Sequence, residues 1–179
     1  MIKELRNKLK INTNILKVIG IFEIIGGITG VGLVVQLFIQ GSASTVITHI
    51  ILSFIFLIYS YSIYAGIMLF RKLEKGLLHS KILQYFQLVS LSLGSLTYYL
   101  TSGGYILIGY NITKNDLETV FGIFFSEFQI NLGDVSNNDF IYINILALVI
   151  LYLLDKVQTR IEEIQMTQQN YKNNIENSK

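Results

Sequence analysis

The sequence predicts an all-α membrane protein, a four-transmembrane-helix bundle with a small extracytoplasmic β element between helices 3 and 4. Three observations predict this fold. Hydrophobic residues make up 51% of the 179 residues and charged residues only 15%, a more apolar balance than soluble domains of this size have. The apolar residues fall into four runs. The basic residues lie almost entirely on one side of the topology that these runs define.

Residues 1–17 are a basic segment that precedes the first apolar run. Its apolar residues recur at near-helical spacing, and Lys3, Arg6, Lys8 and Lys10 lie mostly on the opposite side. This pattern predicts a cytoplasmic amphipathic helix along an anionic leaflet. A cleaved signal peptide is the alternative reading. The apolar run that follows is too long for a signal peptide and contains Glu23, so we favour a retained anchor.

The membrane domain is predicted over residues 18–154, with spans at 18–39, 46–70, 82–100 and 140–154. The first span would rise about 33 Å as a helix, enough to cross the hydrocarbon core. The fourth is short for a crossing and contains Asn144. Counting it as a span leaves Lys114 as the one Lys or Arg outside, whereas a three-span topology would place Lys156 and Arg160 outside. We therefore expect cytoplasmic N- and C-termini, in a bacterial cytoplasmic membrane.

Residues 101–139 form the predicted outer insert, which is acidic. Within it, residues 126–132 alternate between apolar Phe128 and Ile130 on one face and polar Glu127 and Gln129 on the other. Alternation of this kind is typical of a half-buried strand. Residues 105–112 are the predicted antiparallel partner of that strand.

The first span carries the sharpest candidate for a functional residue, Glu23. Charged side chains at membrane depth usually belong to ion paths, proton relays or buried pairs. Glu23 is thus a candidate for ion coupling, or for a buried pair that fixes helix packing. Around it, a narrow edge of small residues predicts close helix packing, which we expect within the chain rather than between copies. The residues of this edge are Gly20, Gly26, Gly27 and Gly30.

Residues 155–179 are predicted to form a cytoplasmic C-terminal helix. Ile161, Ile164, Gln168 and Tyr171 recur there at alternating spacings of three and four, as in a heptad seam. The pattern lasts less than three heptads. It is compatible with oligomerisation through a coiled coil, although a solvated or bundle-packed helix is the favoured reading of so short a pattern.

Several functional classes find no support in the sequence. The net charge of +2 and the absence of a basic aromatic cluster argue against nucleic-acid binding. There is no cysteine, and His49 and His79 are expected at opposite ends of the second span, so we expect no metal site and no cofactor. No hydrolase, protease or phosphate-binding motif is present. We therefore do not expect an enzyme.

These observations favour a non-enzymatic multi-pass membrane protein that acts through membrane assembly or a partner interaction. Its expected partners are the lipid bilayer and either further copies of itself or another membrane protein. The alternative is an oligomeric ion channel or small ion-coupled transporter that uses intramembrane Glu23.

Overall fold

A computed structural model of the chain describes residues 2–41, 45–123, 126–132 and 138–176. Side chains are described for 14–41, 45–123, 126–130, 138–167, 169 and 173. Four helices and six strands make up this part of the chain. In order they are α1 (Ile2–Ile39), α2 (Val46–Arg71), α3 (Leu73–Gln87), β1 (Val89–Leu93), β2 (Leu96–Thr101), β3 (Gly104–Asn111), β4 (Asp116–Ile123), β5 (Glu127–Leu132), β6 (Phe140–Asn144) and α4 (Ile145–Glu176).

The predicted all-α bundle of four spans is wrong. The six strands form one antiparallel sheet, in the order β4-β3-β6-β1-β2-β5. The third predicted span, 82–100, contains the end of α3, all of β1 and most of β2. The fourth, 140–154, starts as β6 and becomes helical only at Ile145. Apolar content alone does not distinguish a helix from strands that are apolar on one face, which is why both runs were misread.

Two helical segments in the described part of the chain are long and apolar enough to cross a membrane, Asn14–Ile39 and Val46–Arg71. They form an antiparallel hairpin. Residues 2–17 continue into α1 without a break. At the start of α2, the Thr45 hydroxyl accepts a hydrogen bond from the Thr48 amide at 3.2 Å, which satisfies one of the free amides of the first turn.

One half of the α1–α2 hairpin packs against helices and the other half against the sheet. Toward the N-terminus of α1, Leu16 and Ile19 share a core with Leu154 and Val157 of α4. Toward its C-terminus, the hairpin packs on β2 and β5. That second core contains Val34, Leu52, Ile55 and Tyr59 from the hairpin, with Tyr98, Leu100, Phe128 and Ile130 from the sheet.

The strand predicted at 126–132 is present as β5, and its predicted partner, 105–112, corresponds to strand β3. The predicted pairing between them is wrong. β5 pairs with β2, while β3 lies between β4 and β6. The β element is therefore larger than expected, because it also includes residues that were assigned to the third and fourth spans.

The sheet is polar on its inner face and apolar on its outer face. Many side chains of the inner face are both buried and polar: Ser90, Ser92, Thr97, Thr101, Asn111, Tyr142 and Asn144. On the edge strands, Val120, Glu127 and Gln129 of the same face are exposed. Beyond β2 and β5, the outer face carries exposed apolar side chains: Val89, Leu93, Ile106, Ile108, Tyr110, Leu117, Phe121, Ile123, Ile141 and Ile143. At β2 and β5 the apolar face packs on the α1–α2 hairpin, as is usual for an antiparallel sheet, whereas on the other strands it is exposed.

Candidate functional site

Glu23 lies at the junction of α1, α2 and α3. It is 1% exposed. Ser80 donates a hydrogen bond to Oε2 at 2.8 Å, and Gln84 donates one to Oε1 at 3.2 Å. Ser80 and Gln84 are one helical turn apart on α3, so both side chains face the same spot on α1. These described partners of the carboxyl group are neutral.

A chain of hydrogen bonds extends this contact to the sheet. Ser62 of α2 donates to the Glu23 carbonyl oxygen at 2.8 Å and shares a hydrogen bond with Ser102 at 3.0 Å. The Ser102 amide donates to Gln87 Oε1 at 2.8 Å. Glu23 is thus part of a buried network that ties three helices to the β2–β3 turn. Glu23 lines none of the three cavities that border the sheet.

The predicted glycine edge of α1 lies against other parts of the same chain. Gly20 faces α2 at Gly66, and Gly27 lies close to the Tyr59 carbonyl oxygen. Gly30 lies under the Tyr59 ring. Gly26 faces the β2–β3 turn rather than a helix. In that turn Gly103 has a φ of +85°, a conformation that favours glycine.

The C-terminal candidates that the structure describes, Ile161 and Ile164, are apolar and take no part in the hydrogen bonds of this network. Ile161 packs at the edge of the core between α1 and α4, and Ile164 is half-buried. The side chains of Gln168 and Tyr171 lie outside the described residues. Oligomerisation through this helix stays a prediction.

A polar cavity of about 410 Å³ lies against the inner face of the curled sheet. Its walls come from the edge strands β4 and β5, from β2 and β6, and from Leu33 of α1. The lining residues include two carboxylates, two tyrosines, two amides and apolar side chains: Glu118, Glu127, Tyr99, Tyr142, Gln129, Asn138, Leu33, Val120, Phe128 and Phe140. A concave site with a few convergent polar groups among aromatic and apolar walls is typical of ligand binding.

Glu118 is one of the two carboxylates, and it already has a cationic partner. Lys114 donates to Oε1 at 2.8 Å, and Asn111 donates to Oε2 at 3.0 Å. Tyr142 also donates to Oε2. These hydrogen bonds, led by that of Lys114, lower the pKa of Glu118 to about 2. Glu118 is therefore ionised at neutral pH, with its charge offset locally.

Glu127 differs because its described side-chain partners are phenols. Tyr105 donates to Oε1 at 2.8 Å, and Tyr99 donates to Oε2 at 3.2 Å. The two rings meet edge to face, with centroids 6.0 Å apart. Burial, together with the hydrogen bonds of this group, raises the pKa of Tyr99, so the phenol stays protonated. This arrangement presents a carboxylate beside tyrosine rings, with no cation from the described residues against it.

The inner face also holds a buried hydroxyl without a partner in the described part of the chain, Ser90 Oγ. Ser90 is opposite Tyr142 in the β1–β6 register. Side chains of opposed residues project from the same face of a sheet, so Ser90 shares the face that lines the cavity. A buried polar atom of this kind costs about 1–3 kcal/mol unless water or a ligand satisfies it. A water molecule or a polar ligand group on this face could satisfy the Ser90 hydroxyl.

Two further cavities lie toward the ends of β3 and β4. The first, about 500 Å³, lies between the end of β4 and the start of β5, and Glu127 lines both it and the polar cavity. The second, about 440 Å³, is almost wholly apolar and is lined by Phe22, Ile106, Phe121 and Leu146 among others. Tyr105 and Gly122 line both of these further cavities. The 500 Å³ cavity thus shares lining residues with each of the other two.

Sequence reasoning missed this site. From the sequence, Glu118 lies in an acidic outer insert, Glu127 on the polar face of a predicted strand and Tyr99 in the predicted third span, and none of them is assigned to a site. The alternation of Ser90 and Ser92 with Val89, Leu91 and Leu93 was a usable signal, since it has the period of a strand with one polar face.

Comparisons with known proteins give no relative for this chain: no family model, curated protein or solved structure matches it.

Proposed function

We propose that this chain is an integral membrane protein that binds a small cationic ligand in the cavity of its sheet, without catalysis. The observation that carries the proposal is the polarity of the sheet, whose inner face bears carboxylates and phenols around a cavity and whose apolar outer face is exposed beyond β2 and β5.

Membrane insertion is supported by more than the two apolar helices. The outer side chains of the sheet, such as Ile108, Ile143 and Phe121, are exposed, and so are many apolar side chains of the α1–α2 hairpin. An exposed apolar surface of this extent is unusual for a soluble monomer and is typical of contact with lipid or a partner. The same arrangement, apolar outside and polar inside, is the one that strands adopt when they face a bilayer.

The ligand class follows from the charges in the cavity. Glu118 has Lys114 as its counter-ion, whereas the described partners of Glu127 are the hydroxyls of Tyr99 and Tyr105. An ammonium group would offset the Glu127 charge, and neighbouring tyrosine rings attract cations through their π faces. A substituted ammonium ion therefore fits this end of the cavity best.

Binding of tetramethylammonium to the purified protein tests this proposal. We expect saturable binding by isothermal titration calorimetry and a loss of about tenfold or more in Glu127→Gln, since truncating a charged contact costs about 1.4 kcal/mol or more. Asp116→Asn removes a nearby exposed charge that does not line the cavity, and it should bind as the wild type does. No binding to the wild type, or equal loss in both variants, would contradict the proposal.

Assembly through the C-terminal helix and conduction through Glu23 remain predictions from the sequence. The burial of Glu23 among neutral donors of α3 favours a structural role for it over conduction. Ion flux through protein-containing liposomes that changes in Glu23→Gln would favour conduction instead.

A further inference from the structure

We infer that the ligand is a short extended peptide, which adds a strand to the free edge of β5 and places a basic side chain beside Glu127. This inference rests on the proposed function and adds the class of ligand. Three features of the sheet support it: the free backbone edge of β5, the polar cavity along that edge, and the charges beside it.

β5 is an edge strand, and its free edge carries the backbone groups of Phe128 and Ile130. In the part of the chain that the structure describes, β5 pairs only with β2. The Glu127 amide donates to the Thr101 hydroxyl at 3.2 Å, and that hydroxyl donates to the Glu127 carbonyl oxygen at 3.4 Å, so both backbone groups of Glu127 face β2. Because this direction alternates along a strand, the backbone groups of Phe128 and Ile130 face away from β2. Unpaired backbone groups are costly near hydrocarbon, and an added strand satisfies them.

The polar cavity follows this edge rather than one face of β5. Three consecutive residues line it, Glu127, Phe128 and Gln129, although the side chains of neighbouring strand residues project from opposite faces. The Phe128 ring packs on Tyr59 at the outer face, with ring centroids 6.3 Å apart. A cavity that touches all three residues therefore passes along the edge of the strand. Of the described β4 residues, it meets only those of the inner face, so the added strand belongs at β5.

The side chains beside the edge define the sequence pattern of the peptide. In an antiparallel pair, the peptide residues opposite Phe128 and Ile130 project to the apolar outer face and turn their amides toward β5. The residue between them lies opposite Gln129 on the inner face, where a long basic side chain reaches Glu127 diagonally. The described side-chain partners of Glu127 are phenols, so this cation offsets its charge. The expected peptide is therefore apolar, basic and apolar in alternation.

Synthetic peptides test the pairing by isothermal titration calorimetry on the purified protein in detergent. The parent is acetyl-Thr-Val-Lys-Val-Thr-amide, in which the Lys ammonium is the only charge. One analogue is N-methylated at both Val residues, whose amides face β5, and the other at Lys, whose amide faces away. We expect the Val analogue to bind at least about tenfold more weakly than the parent, because it has lost the donors to the edge, and the Lys analogue to bind as the parent does. Equal affinities for the two analogues, or the reverse order, would overturn the inference.

A second comparison tests the charge. Norleucine in place of Lys removes the ammonium and keeps an unbranched side chain. Glu127→Gln should weaken the Lys peptide about tenfold, as for tetramethylammonium, and leave the norleucine peptide unchanged. Glu127 is exposed, so this substitution should not unfold the protein, and Asp116→Asn should change neither affinity. Equal weakening of both peptides in Glu127→Gln would mean that charge does not select the ligand, and the inference of a basic peptide would fail.

A second copy of the chain is the competing occupant of this edge. Light scattering gives the mass of the protein in detergent with and without the parent peptide. A mass that the peptide does not lower supports the inference. A dimer that the peptide dissociates would assign the edge to a second copy and overturn it.

The outcomes distinguish the inference from the proposed function. If tetramethylammonium binds in a Glu127-dependent manner and both N-methylated analogues bind as tightly as the parent, the cation site stands and the peptide inference fails. If neither tetramethylammonium nor the parent peptide binds, both fail.

Discussion

Gly26 of α1 and Gly103 of the β2–β3 turn lie in direct backbone contact. A Cβ placed on Gly26 would lie 2.1 Å from the Gly103 nitrogen. The hydroxyl of Ser126 joins the same two residues, since it donates to the Gly26 carbonyl oxygen at 2.7 Å and accepts from the Gly103 amide at 3.2 Å. The sheet is thus attached to the middle of the helical hairpin at a point where neither backbone can carry a side chain.

Gly26→Ala should destabilise the protein by about 1–3 kcal/mol, because the new methyl group overlaps backbone that cannot move aside. Gly32→Ala is the matched control on the same helix, since a Cβ there meets nothing within 4 Å. Gly32→Ala should not lower the free energy of unfolding, because alanine favours the helix more than glycine does. Thermal unfolding in detergent measures both. Equal midpoints for the two variants would show that the contact with Gly103 is not tight.

Glu23→Ala should cost about 3 kcal/mol or more, because Ser80 and Gln84 would lose their acceptor in a buried site. Glu23→Gln should cost much less, since an amide keeps one acceptor and the Ser80 hydroxyl can reverse its role. Glu74→Ala, which removes an exposed glutamate of α3, should change stability by less than about 0.5 kcal/mol. Unfolding midpoints compare the three, and a Glu23→Ala midpoint equal to that of Glu74→Ala would remove the structural role of Glu23.

The ion pair of Glu118 predicts a pH dependence of stability. Its pKa is lowered from 4.5 to about 2 in the folded protein, so its contribution is fully present above pH 4.5 and is lost as the pH falls toward 2. The difference in unfolding midpoint between wild type and Glu118→Gln should therefore be constant from pH 7 to pH 5 and shrink below that range. A difference that does not vary with pH would mean that Glu118 does not stabilise the folded protein through its charge.

The sequence specified the apolar helices and two of the strands, yet it did not specify the fold. Glu23 and its glycine neighbours were visible because a polar edge on an apolar helix has a helical period. Strands β1 and β6 were hidden inside apolar runs, because their outer-face residues are apolar while the serine and tyrosine residues on their inner face are only weakly polar. Val89 to Leu93 does alternate, but the run continues into Leu96 and Leu100 and has the length of a span.

The cavity on the inner face of the sheet was even harder to predict from the sequence. Glu127 meets Tyr99 and Tyr105 only because β2 pairs with β5 and the sheet curls toward β3. Pairing between strands that are distant in sequence depends on how the whole sheet packs on α1 and α2. Local sequence patterns therefore do not predict this pairing.

Accessibility of spin labels tests the central claim, that the outer face of the sheet contacts lipid while its inner face is wet. The chain has no cysteine, so single cysteines can be placed at will. Labels at Ile108 and Ile143 of the outer face should be relaxed more by oxygen, which concentrates in hydrocarbon, than by a water-soluble nickel chelate. A label at Val120 in the cavity, and one at Asn115 in the exposed β3–β4 turn, should show the reverse. If Ile108 and Ile143 respond to nickel as Asn115 does, the sheet lies in water and the account of an inverted membrane sheet is wrong.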